Sequence, residues 1–268
     1  MKPPSRPKTS QLDLFNARFE QLLNHQHPLY VLAGKLDWNR FDLAFEDCYC
    51  PDTGAPAKAI RLMVGLHYLK HAFNESDESL LERWVENPYW QYFCGYETMQ
   101  HDVPLHSTSL TKWRQRVGAE KLAELIQETI SLALSEQQIT QRELAQVIVD
   151  TTVQEKNIAY RGHGYEGEAT VHLAGSSLRG LSRTQQKRRQ RRSAVEPKIG
   201  HMKSDHRMRR CFLKGLIGDA INAVLAAAGS NLLKLLRAYA HALILRLWSR
   251  ISGGIQQLAR PQGAVLAM

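Results

Sequence analysis

The stretch VIVDTTVQEKNIAYRGHGYEGEATVHLAG (residues 147–175) carries two β-type patterns with a join between them. Its first part is a β-branched run, Val147, Ile148 and Val149, closing on Asp150. That is the pattern of a buried strand with an acid at its end, where the side chain leaves the core and faces solvent. EATVHLAG (168–175) is a second strand candidate. Gly162, Gly164 and Gly167 in between match no phosphate-cradling loop and read as a turn.

A dense basic run follows. From Arg179 to Lys214 there are 13 Lys and Arg against Glu196 and Asp205, a local charge of +11, so the rest of the +9 chain sums to −2. Charge concentrated this way points to a polyanion, most simply nucleic acid, because each neutralised phosphate releases counterions. From charge alone, a solvated basic linker fits equally well. Arg188, Arg189, Arg191 and Arg192 form its densest part, and Lys198, Lys203, Arg207 and Arg209 continue it along a helix expected over 195–209.

Upstream of residue 143 the patterning is helical. In Lys58–Phe73 the apolar residues Ile60, Met63, Val64, Leu66, Tyr68 and Leu69 fit a largely buried helix. Ser76 starts another, which breaks at Asn87-Pro88, and a third covers Trp90–Cys94 before Gly95. STSLTKWRQRV (107–117) is a short helix with Ser or Thr as its N-cap, and Gly118 separates it from a long helix over 119–135. PLYVLAGKLDWNRFDLAFEDCY (28–49) reads as a strand or turn leading into a helix, and residues 12–23 as a short helical patch. Lys112, Arg114 and Arg116 around Trp113 give one helix a basic, aromatic face suited to a DNA groove; core packing by Trp113 with solvated arginines accounts for it as well. Past the basic run, residues 212–248 make one or two strongly apolar helices.

With 43% hydrophobic residues in 268, the chain has ample material for a core. Cys48, Cys50, Cys94 and Cys211 show no disulfide framework, and the start has no apolar leader, so a cytoplasmic protein is expected. Lys214, Asp219, Asn222, Asn231, Lys234, Arg237 and Arg246 interrupt the apolar stretch at its end, and no membrane partner is expected.

Asp150 and Glu196 are the acids placed for chemistry, one at a strand end and one at a helix start among Lys198, His201, Lys203, His206 and Arg207. Paired carboxylates of this kind hold Mg²⁺ together with substrate phosphates. Each acid also has an ordinary reading, as a turn or first-turn residue. A zinc site is the rival: His67 and His71 stand four apart with Cys48, Cys50, Cys94, His101 and His106 scattered nearby, but no tight ligand pairs occur.

LDWNRFDLAFEDCYCPDTGAPAKAIRLMVGLHYLKHAFNESDESLLERWVENPYWQYFCG (36–95) and HSTSLTKWRQRVG (106–118) resemble the N-terminal domain of bacterial insertion-sequence transposases of the InsH type. VIVDTTVQEKNIAY (147–160) resembles the first catalytic strand of their DDE domain, and residues 160–175 and 194–237 resemble its end. The resemblance implies a mainly α chain: a tail (1–28), a helical DNA-binding domain (29–118), a linking helix (119–142), a truncated α/β RNase H-like domain (143–250) and a second tail (251–268). The helical domain is expected to fold by itself. The resemblance further implies Mg²⁺-dependent cleavage and strand transfer at an element's terminal inverted repeats, with Asp150 and Glu196 as catalytic metal ligands. Lys112, Arg114, Arg116 and the basic run would contact DNA, and a homo-oligomer or full-length transposase would be the protein partner.

One part of the pattern is missing. The family's second acid stands in an Asp-x-Gly-Tyr sequence directly before Arg-Gly-His, here Arg161-Gly162-His163. Three residues before Tyr160 this chain has Asn157. The join in the opening stretch therefore reads as an internal deletion that removes the middle strands and the second acid, leaving a copy expected to be inactive.

Overall fold

The computed structural model describes residues 17–49, 57–144, 183, 195–209, 211 and 213–258. Among these the chain is helical, with no strand and one isolated bridge between Arg18 and Thr98. The helices are α1 (Phe19–Leu22), α2 (Pro28–Lys35), α3 (Trp38–Phe45), α4 (Ile60–Ala72), α5 (Asp77–Glu86), α6 (Pro88–Phe93), α7 (Ser107–Ser135), α8 (Gln141–Leu144), α9 (Val195–Asp205) and α10 (Gly215–Leu258). The mainly α expectation holds. The strands expected at 147–150 and 168–175, and the join between them, lie outside the described residues.

Local signals explain where the helices start and stop. Ser76 and Ser79 form a reciprocal capping box at the head of α5. Asn87 ends α5 and caps α6, its side chain accepting from the Trp90 amide, while Pro88 takes the first helical position. Gly118 (φ 77°, ψ 167°) breaks α7 between residues 117 and 119, as expected, because residues with a Cβ rarely adopt that conformation. Two expectations are corrected. Residues 28–45 form two helices, not a strand or turn and a helix: Pro28 opens α2, and the Asp37 carboxylate accepts from the Asn39 and Arg40 amides at the head of α3. The cap of α7 is His106, one residue before the expected Ser or Thr, with its ring accepting from the Thr108 amide.

The core gathers around α4, in which every residue from Leu62 to Ala72 is buried. Phe41, Phe45, Tyr68, Leu110 and Trp113 from α3, α4 and α7 pack together, and the Trp113 indole donates to Tyr49 Oη at 2.8 Å. The Tyr68 hydroxyl donates to the Leu125 carbonyl at 2.6 Å. α10 is built into the same core, with Ile221, Leu225, Ala228, Leu232, Leu235 and Leu236 buried against α4 and α7. These positions recur at helical spacing, so one stripe of α10 faces inward. The crossing with α4 is close: a Cβ on Gly229 would stand 2.4 Å from His71 Cβ and 2.6 Å from the His71 carbonyl carbon.

The chain divides into two compact units: residues 1–140 with 202–268, and residues 141–201. The helical N-terminal part shares its core with α10 through long-range packing of an apolar stripe, which no short window of sequence shows.

Candidate nucleic-acid interface

Helix α7 separates the three basic residues expected to face DNA together. Lys112 and Arg116 are exposed, and the Arg116 guanidinium lies 5.9 Å from the Tyr49 ring centre. Arg114 is buried at 4% exposure. Its guanidinium grips Asp77 with both terminal nitrogens, at 3.0 and 2.7 Å, and also donates to Thr111 Oγ1 at 3.0 Å. The expectation of a DNA contact at Arg114 is therefore corrected: its donors point into the core, toward an acid 37 residues away in sequence. Trp113 is a core residue on the same account.

The pocket behind Arg114 is a tight ionic cluster. Lys70 donates to Asp77 Oδ1 at 2.6 Å. Burial alone would raise the Asp77 carboxyl, but the Arg114 hydrogen bonds and the Lys70 charge outweigh it and hold it below the usual carboxylate range. Burial, with the Arg114 charge beside it, brings Lys70 down to about 8 despite Asp77. His67 Nδ1 lies 2.6 Å from the Met63 carbonyl, which can only accept, so Nδ1 carries the proton and Nε2 is left to accept from Arg114 at 3.4 Å. Burial and the Arg114 cation push His67 down to about 3, and it stays neutral. A small pocket lined by Lys70, His71, Arg114, Cys211 and Asn222 opens on this cluster. Asp77 spends both oxygens on cations, which marks it as a structural counter-ion and not a general base. Sequence reasoning missed it because an acid in a helix's first turn is commonplace.

The second basic surface is the end of α9 and the turn after it. Lys203 and Arg209 are exposed, and Arg207 is half-buried with a left-handed backbone (φ 59°). Side chains of the helical body meet this turn's carbonyls one after another. Asn74 Nδ2 donates to Ser204 O at 3.0 Å, and His71 Nδ1 to His206 O at 3.1 Å. Asn222 Nδ2 donates to Met208 O at 2.9 Å and Arg207 O at 3.4 Å. In return His206 Nδ1 donates to His71 O at 2.8 Å, and Arg207 Nη1 to Asn74 O at 3.2 Å.

Glu196 is the second residue of α9, in the first turn as expected, and Lys198 lies half-buried two residues on. Asp150, Arg188, Arg189, Arg191 and Arg192 lie outside the described residues. Among the described residues no group of three or more His, Cys, Asp or Glu is placed to hold a metal ion. His71 is buried, like His67, with its ring on a backbone carbonyl. Among the described residues one segment, Gly215–Ser249 of α10, is long and apolar enough to cross a membrane by length and composition, and half of its most apolar 18-residue window is buried within the fold.

Comparison with known proteins covers both parts of the chain. Residues 17–116 match a transposase domain (DUF772), and residues 152–236 match a transposase DDE domain. The second match ends at Leu236, a buried core residue of α10, so a helix assigned to the DDE part contributes to the core of the part before it. A Rhizobium meliloti protein described as uncharacterized protein ORF8 in the nfe locus is 49% identical over 157 residues, which are 59% of this chain and 75% of that protein. No solved structure matches.

Proposed function

Because the chain belongs to the DDE-type insertion-sequence transposases, we propose that it binds DNA at the ends of its element and does not cut it. What supports this reading is the join: both parts of a transposase match within one chain, and the residue three before Tyr160 is Asn157, not an acid. DDE transposases depend on divalent metal, which activates the attacking oxygen and stabilises the leaving one. Asp150 and Glu196 are the residues that descend from that site, with Mg²⁺ as the expected ion. The donor set does not fit it. Two carboxylates remain where three are used, and the neutral amide of Asn157 is the weaker ligand. The strands that would hold Asp150 rigidly relative to Glu196 are missing from the sequence as well, and displacement by about 1 Å can cost roughly 10²-fold in rate.

DNA binding on this reading is electrostatic and survives the loss of chemistry. Lys112 and Arg116 on α7 form one contact surface, Lys203, Arg207 and Arg209 another, and Lys198 with Arg188, Arg189, Arg191 and Arg192 the remainder. In the cytoplasm such a protein would occupy terminal inverted repeats, alone, as a homo-oligomer, or beside a full-length transposase. A nicking and strand-transfer assay with Mg²⁺ or Mn²⁺, on DNA carrying the element's ends, tests the reading. Binding without cleavage is expected. Cleavage that Asp150→Ala and Glu196→Ala both abolish would overturn it.

A further inference from the structure

The turn Ser204–Met208 is held more elaborately than a connection between two helices requires. Four of its carbonyls, those of Ser204, His206, Arg207 and Met208, accept from Asn74, His71 and Asn222. Those donors come from buried His71 at the end of α4, exposed Asn74 just after it and half-buried Asn222 near the front of α10, so three points of the helical body converge on five residues. Arg207 and Asn74, which share a hydrogen bond, both have left-handed backbones (φ 59° and 60°). A residue with a Cβ takes that conformation at a cost, and persists in it only where its surroundings over-determine it. With the carbonyls turned inward, the exposed cations here are Lys203 at the end of α9 and Arg209 after the turn, offset by Asp205, to which Ser204 Oγ donates at 2.6 Å, while half-buried Arg207 turns back to the Asn74 carbonyl.

We propose that Asn222, Asn74, His71, His206 and Arg207 are positioning residues that hold the exposed Arg209 as a preset contact for the DNA backbone. The proposal rests on the DNA-binding reading above. Its physical content is preorganisation: an arginine on a fixed turn loses less freedom when its planar fork meets a phosphate than one on a free chain does. Asn222 and Asn74 touch no phosphate themselves, and they carry no charge.

The test is a double-mutant cycle in the full chain, read by fluorescence anisotropy on a labelled random-sequence duplex across a salt series. Arg209→Gln in the wild-type background is expected to weaken binding about 3- to 10-fold and to lower the slope of log K against log salt by about 0.9. Asn222→Ala leaves the charge unchanged and is expected to weaken binding about 3-fold or more, because the turn is released. In the Asn222→Ala background the loss from Arg209→Gln should shrink to about 2-fold or less, the coupling expected of groups that act together. Should Asn222→Ala fail to fold, Asn74→Gly keeps the left-handed backbone, removes the amide that holds Ser204, and takes its place in the cycle. Equal Arg209 losses in both backgrounds, in a protein that binds the duplex, would overturn the positioning role alone. A wild-type chain that does not bind would fail the DNA-binding reading itself and this proposal with it.

Discussion

The front and back of α10 are alike in composition and opposite in fate. From Ile221 to Leu236 the helix buries one residue after another against α4 and α7, whereas Ile244 and Leu245 near its end are 61% and 55% exposed. Apolarity does not separate the two stretches. The stretch from Ile221 to Leu236 finds a matching surface, and Gly229 lets its backbone close on His71 at the crossing, whereas Leu216 and Ile217 just before it are exposed. Among the described residues the back half meets no comparable surface. An apolar helix is thus a candidate for burial, and a partner at the right spacing decides where burial happens.

The comparison can be broken most directly by removing the front half. A chain ending at Thr140 keeps α1 to α7 but loses Ile221, Leu225, Leu232, Leu235 and Leu236, each worth about 1.5–3 kcal/mol when fully buried. That total exceeds or rivals the whole stability of an ordinary domain. Circular dichroism should therefore show no cooperative melt, and a sharp transition like that of the full chain would show α10 to be an addition, not part of the core.

Asp77→Ala attacks the same core from its ionic side. It leaves the buried Arg114 and Lys70 without a counter-ion, which typically costs about 3–5 kcal/mol. Denaturant titration measures it, and a loss under about 1 kcal/mol would place these cations in water.

The buried histidine adds a dependence on pH. His67 is held at about 3, below the ordinary 6.5, so on acidification the unfolded chain takes up its proton first. The stability it contributes is complete above about pH 6.5 and is lost progressively as pH falls toward 3, about 2 kcal/mol by pH 5. His71, lowered likewise, adds to the loss in the same direction. Urea midpoints between pH 7 and 5 should fall in the wild-type chain and fall less steeply in a His67→Gln variant.

Smallest of all is the back half's expected response. Ile244→Gln alters a residue that is already mostly in water, and its effect should lie within about 0.5 kcal/mol. A loss of 2 kcal/mol or more in the same titration would mean that the back half is covered in solution.

How much of this could be read in advance depends on how far a signal reaches along the chain. The capping box at Ser76, the stop at Asn87-Pro88 and the break at Gly118 each involve a handful of neighbouring residues, and each lies where the pattern put it. The reading failed where two local codes overlapped. PLYVLAG (28–34) suits a strand by composition, yet Pro28 at a first helical position decided for α2. The resemblance to transposases was likewise legible, since it rests on long runs of residues read in order, and both parts of the chain match that family.

By itself, then, the sequence determined most of the helices, several of their ends and the family, because caps, breakers and periodicity act within a turn or two of one another. Only the tertiary structure decided which way α7 presents its charges. Arg114 and Arg116 are two residues apart and chemically identical, but the helix turns about 200° between them. One therefore meets Asp77, 37 positions back along the chain, while the other meets solvent. No local pattern records that distant acid, nor the stripe of α10 that closes the core more than a hundred residues after α4. Both depend on surfaces that exist only once the chain has folded.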